Sequence, residues 1–185
     1  MKKIYFVTTN TYKFQKFSQA LDIPSIILEQ LSEKVPEIQA ANNQEIAAFS
    51  AQWAAKKFKV PVVKEDVGLY IRALRGFPGP YLNQVEGWIE AGGFVKLMAD
   101  KKDRFAYWEY AISYCEPKRS PITFYAHQKG SIAITAKGKS GWDTNTIFIP
   151  EGQDKTIAEL LVEKKYIRNE EHYRQLKEFF LKTSK

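Results

Sequence analysis

An α/β fold, with a mixed central β-sheet flanked by helices, is what this sequence predicts, and three observations carry it. The first third of the chain alternates apolar strand-like runs with amphipathic helices in the order β-α-β-α-β. Beyond residue 105, long stretches alternate apolar and polar side chains with the two-residue period of antiparallel strands. The last stretch is charged and helical in composition. At 185 residues the chain is expected to form one domain, residues 1–185, or two lobes sharing one core.

Residues 2–7 read as a strand, and Thr11 to Leu21 as a helix with Phe14, Phe17 and Leu21 at near-helical spacing. Residues 25–31 read as a second strand. Residues 43–59 are the clearest helix, Ala-rich with Ile46, Phe49, Trp53 and Ala54 along one face, and Val60-Pro61 stops it. The run PVVKED predicts a strand entering a pair of acids, and GLYIRAL a return strand. RGFPGPYL predicts a loop, since two prolines and two glycines leave no room there for a regular element. A helix is expected over 87–98 and a long strand over FAYWEYAISYCEP. PITFYAHQKGSIAIT predicts a strand pair broken at Lys129-Gly130. AKGKSGWDTNTIFIPEG predicts a polar loop entering a short apolar run, and residues 157–182 are expected to be helical.

Composition narrows the function. No run of about 18 apolar residues is present, so no membrane partner is expected. The apolar run near the N-terminus is too short for a signal-peptide core. Cys115 is the only cysteine, which excludes an internal disulfide and makes a cytoplasmic location the default. His127 and His172 are too few and too far apart for a histidine metal cluster, which leaves a hard ion on carboxylates. A net charge of +7 favours an anionic partner. The basic residues are spread along the chain and the aromatics sit in apolar runs, so no stable nucleic-acid complex is expected.

Three segments can carry chemistry. In TTNTYK, a strand ends in hydroxyls and an amide, and Lys13 follows one turn into a helix. The first N–H groups of that helix lack intrahelical partners, and the positive end of its dipole points the same way. Thr8, Thr9, Asn10 and Lys13 therefore suit a phosphate cradle; taken alone, the stretch also reads as an ordinary helix cap with Lys13 in solvent. In KEDVGL, the neighbours Glu65 and Asp66 point to opposite faces of a strand, so one of them enters a given cleft, able to hold Mg²⁺ or to take a proton from water. In VPEIQ, Glu37 sits in a Pro-led loop; paired with Asp66 it makes a two-carboxylate seat for Mg²⁺.

In this order these stretches resemble the Ham1-like inosine triphosphate pyrophosphatases (ITPases). TTNTYK is similar to that family's T-x-N-x-x-K, VPEIQ to L-P-E-[IY]-Q, EDVGL to E-D-[ST]-G-L, and ALRGFPGPY to A-L-x-G-x-P-G-x-Y, with FIPEG and AEL continuing the match. The register can be followed from residue 3 to about 165. The resemblance implies two lobes with a substrate cleft between them, a homodimer, and Mg²⁺-dependent cleavage of a nucleoside triphosphate, commonly a non-standard purine, to the monophosphate and pyrophosphate. It implies that Thr8, Thr9, Asn10 and Lys13 hold the triphosphate. Glu37 and Asp66 would bind Mg²⁺, Asp66 would also activate water, and Glu65 would support it. Trp142 and Lys165 would contact the base.

The departures lie mostly where the family reads the base. Ser50 stands where the family's long helix carries a lysine, and Asn83 where a polar or basic contact is common. The family's G-F-G-[YW]-D-P-x-F is GWDTNTIF here; aligned without a gap, Trp142 replaces the Phe, while a local gap sets GWD on the family's own G-W-D. The C-terminal S-H-R falls on Asn169-Glu170-Glu171, where two acids would repel a polyanion. His172 and Arg174, one turn on, either substitute for it or decorate a surface helix. A non-catalytic nucleotide-binding relative and a scaffold remain beside the hydrolase as readings of this pattern.

Overall fold

The computed structural model describes residues 1–183. Along the chain run β1 (Lys2–Val7), α1 (Thr11–Leu21), β2 (Ile26–Leu31), α2 (Asn43–Phe58), β3 (Val62–Ile71), β4 (Pro78–Gly79), α3 (Leu82–Leu97), β5 (Phe105–Cys115), β6 (Ile122–Ile132), β7 (Phe148–Pro150), α4 (Ile157–Val162) and α5 (Glu171–Thr183), with 3-10 turns at Arg72–Leu74 and Asp143–Thr146. The strands pair in the order β2-β1-β3-β5-β6-β7, with β4 on β3. β1 is parallel to β2 and β3, while β4 and β7 run antiparallel to their partners, so the sheet is mixed. Among the described residues no helix is long and apolar enough to cross a membrane. The chain gathers into two compact units: residues 1–66, 110–126 and 170 onward, and residues 67–109 with 127–169.

In the first unit the two-residue period of the strands sorts side chains between two helix layers. Ile4 and Phe6 of β1 and Val63 of β3 bury with Phe17 and Leu21 of α1 and Tyr173, Leu176 and Phe180 of α5. Val7 and Val62, one residue out of phase, bury instead against Ala51, Ala54 and Ala55 of α2. The caps explain the helix starts: Asn10 accepts the N–H of Lys13, and Asn42 that of Glu45. β3 departs from the expected reversal after Asp66. It runs unbroken to Ile71, and Gly68 is an ordinary buried strand position rather than a turn. The two acids therefore lie in mid-strand, on opposite faces.

In the second unit the FPG segment does form a short strand, β4, pairing Leu69 with Gly79 and Tyr70 with Pro78. α3 starts five residues earlier than expected and is interrupted at Glu90, whose φ of 53° and ψ of 179° are not helical. β6 is continuous through Lys129-Gly130. Gly130 marks a close approach, not a break: a Cβ there would overlap the Ile149 carbonyl and the Phe148 ring of β7. The expected C-terminal helix is two helices, because Lys164 takes the left-handed conformation (φ 57°) and Lys165 N–H bonds back to Leu160 O, closing α4.

Arg104 ties the end of α3 to the end of β6 by donating to the carbonyls of Ile132 (2.5 Å), Ala133 (2.7 Å) and Met98 (2.9 Å). Arg104→Met leaves all three acceptors without that donor. Urea unfolding is expected to show a loss of about 3 kcal/mol; a loss under about 1 kcal/mol would remove this role.

Candidate active site

β1 releases the chain at Thr8, whose N–H bonds Leu31 O of the neighbouring strand and whose carbonyl accepts from Gln30 Nε2. Thr8 Oγ1 then accepts the Asn10 N–H, and Asn10 Oδ1 accepts the Lys13 N–H, each at 3.1 Å. The hydroxyl and amide of TTNTYK thus shape the turn. Thr9 stays exposed, and the first turn of α1 carries no acid. Lys13 reaches back from that turn, its Nζ 3.6 Å from Glu65 Oε2.

Glu65 is fully buried on the α1/α5 face of β3. A carboxylate there must be paired. Besides Lys13, the Tyr173 hydroxyl donates to its Oε1 at 2.8 Å, and His172 Nε2 lies 3.2 Å from the same atom. The His172 ring stacks on Tyr110, centroids 5.4 Å apart at 15°. His172 is therefore an interior residue, and the surface-helix alternative is corrected. Its signal was in the sequence: His172, Tyr173, Leu176 and Phe180 form the buried stripe of α5. Arg174 does lie on the surface, forking onto Glu171 at 2.5 and 2.7 Å. That pairing holds the Glu171 carboxyl below the usual range and offsets the repulsion of a polyanion expected of this acid. Asn169 is also engaged, its amide donating to His127 O and its N–H to Gln128 Oε1.

Asp66 is half-buried on the α2 face of β3. It accepts a 2.6 Å bond from Asn43 Nδ2, on the first turn of α2 and absent from the sequence reading. Burial pushes its pKa from 3.8 to about 6; the Asn43 bond and the charges of Lys13 and Lys64 oppose the rise, and the charge of Glu37 adds to it. Glu37 stands half-exposed with Lys64 Nζ 3.2 Å away. Ser50 is buried and donates to Pro36 O, fastening the Glu37 loop to α2.

Among the described residues no three His, Cys, Asp or Glu side chains gather around one point. Asp66 and Glu37 are hard oxygen donors whose charges already oppose each other, which a dication would relieve. Two carboxylates also suit an ion that takes its remaining ligands from phosphates and water.

In the second unit Trp142 is 44% exposed, its ring 5.9 Å from that of Trp108 at 52°. Lys165 projects into solvent beside Glu163, 3.1 Å away. Asn83 is exposed on the first turn of α3.

Comparison with known proteins adds the following. The Ham1 family model matches residues 4–173. A dITP/XTP pyrophosphatase of Methanopyrus kandleri is 40% identical over 163 residues, 88% of this chain and 87% of its own. A protein of the same description from Methanothermobacter marburgensis is 37% identical over 158 residues, 85% of this chain and 84% of its own. The solved structure of a HAM1 protein from Coxiella burnetii superposes with a TM-score of 0.86 at 26% identity, covering 98% of this chain and all of that one.

Proposed function

Because this chain belongs to the Ham1 family, we propose that it hydrolyses the triphosphate of non-standard purine nucleotides, dITP and XTP among them, to the monophosphate and pyrophosphate. The observation that carries this reading is the strand pair Glu65-Asp66. One carboxylate is buried under Lys13 at the start of α1, and the other is lifted to about 6 beside Glu37.

The roles follow from what each group can do. The uncapped N–H groups of α1, Thr8, Thr9, Asn10 and Lys13 meet phosphate oxygens with hydrogen bonds and positive charge. Glu65 acts through Lys13, fixing the ammonium's place without itself meeting solvent. Asp66 takes a proton from the attacking water, whose oxygen bonds phosphorus as the bridge to the departing pyrophosphate breaks. Asp66 and Glu37 would hold Mg²⁺, which when bound neutralises charge on the phosphates. Trp142 offers a ring face to the base and Lys165 a donor to its oxygens. Nothing favours a non-catalytic reading. A homodimer in the cytoplasm completes the proposal: Trp88, 78% exposed on α3, offers apolar surface to a second copy, and Cys115 is buried as a thiol.

The test is pyrophosphate release from a panel of purine and pyrimidine triphosphates with Mg²⁺, with and without chelator. Turnover of dITP or XTP well above ATP, abolished by the chelator, is expected. A folded protein silent across the panel would overturn the reading.

A further inference from the structure

We propose that Glu86 and Asp143 are positioning residues for substrate recognition: two carboxylates that tie the loop 141–146 to the break in α3 and so set where the Trp142 ring stands. The inference rests on the hydrolase reading above, in which Trp142 meets the base, and it adds what places that ring.

The interruption of α3 at Glu90 makes Ala91 the start of a second helical segment, with an N–H that has no partner inside the helix. Asp143 Oδ2 accepts that N–H, so a side chain of the loop caps the segment, where the helix dipole favours a negative group. One turn earlier the pairing is reversed. Glu86 Oε1, on α3, accepts both the N–H and the hydroxyl of buried Thr144, each at 2.7 Å. The loop is also closed on itself: Asn145 N–H bonds Trp142 O at 2.9 Å, and the Thr146 hydroxyl bonds Asp143 O at 2.7 Å. Trp142 is thus held between Gly141, left-handed at φ 83°, and a residue fastened to α3.

One oxygen of Asp143, Oδ2, is therefore engaged by a helix start. The bonds from Ala91 and Thr144 need an acceptor oxygen and not a charge. This separates positioning from direct contact with substrate. Removing the acceptor should displace the ring and weaken binding, while the amide isosteres should restore it.

The experiment measures KM and kcat for dITP in Glu86→Ala, Asp143→Ala, Glu86→Gln and Asp143→Asn. It also measures the exciton couplet of the Trp108–Trp142 pair in circular dichroism without nucleotide, assigned by its loss in Trp142→Phe. The alanine variants are expected to raise KM about tenfold or more with kcat within about twofold, and to reduce the couplet. The amide variants are expected to restore both. Unchanged KM in folded alanine variants overturns the proposal. So does an amide variant as impaired as its alanine counterpart, since charge would then be acting on the ligand. If the wild type turned over no triphosphate, the hydrolase reading would fall by itself. The couplet would then decide the remainder: lost in the alanine variants, the carboxylates place the ring; retained, they do not.

Discussion

Asp66→Asn is expected to reduce pyrophosphate release by roughly 10³-fold, the scale of losing a positioned general base, while raising the melting temperature of the metal-free protein at pH 8. The two effects have one cause. Burial lifts the Asp66 carboxyl from 3.8 to about 6, so the folded chain holds that proton more tightly than the unfolded chain does. A carboxyl shifted upward leaves stability intact below pH 3.8 and withdraws it as pH rises through 6. Above that window the ionised group costs the fold up to about 3 kcal/mol. Asparagine keeps an oxygen for the Asn43 amide and removes the charge. Thermal melts with chelator from pH 4 to pH 8 should show the variant ahead at pH 8 and the gap closing toward pH 4. A variant that melts lower than wild type at pH 8 would mean that the carboxylate stabilises the apo fold.

Glu65→Ala is expected to produce the largest loss of stability, about 3–5 kcal/mol, because it strips a buried ionic cluster of its acceptor. The Tyr173 hydroxyl and His172 Nε2 lose their shared oxygen, and Lys13 loses its counter-charge. In a chain of this length that lowers the melting point by roughly 10 °C. Glu65→Gln retains an acceptor and should fall between the two in a melt. It should also raise KM for the triphosphate, since Lys13 then lacks the counter-charge of Glu65. A Glu65→Ala protein as stable as wild type would show that the cluster contributes no net stability.

What the sequence made legible follows how far each signal reaches along the chain. The starts of α1 and α2 were readable because Asn10 and Asn42 cap within three residues of themselves, and Pro61 marks the stop of α2. The TTNTYK, Glu37 and Glu65-Asp66 segments were readable as motifs, and Glu65 and Asp66 do take opposite faces of β3. The errors fall where distant partners overrule local composition. E-D-V-G has the look of a turn, but Glu65 stays inside the strand because residues from α1 and α5 surround it. Gly130 resembles a hairpin until β7 is placed against it. The end of α4 carries no Gly or Pro at all; a lysine takes the left-handed position instead. Asn43, the partner of Asp66, is one polar residue among several at a helix start, and only the packing of α2 on β3 distinguishes it.

The alternation along β3 makes the pleat a partition wall between two adjacent acids. Glu65 belongs to the α1/α5 layer and Asp66 to the α2 layer, although a single peptide unit joins them. Their identities are therefore tied to parity and not to neighbourhood. One residue inserted between Val62 and Lys64 would turn each acid to the other's face, setting Lys64 in the place opposite Tyr173 and His172 and Glu65 in the place beside Asn43. Substitutions in this strand can be absorbed one at a time, but a change in its length scrambles both layers at once. A scan of single-residue insertions should accordingly find surface loops permissive and the first half of β3 intolerant.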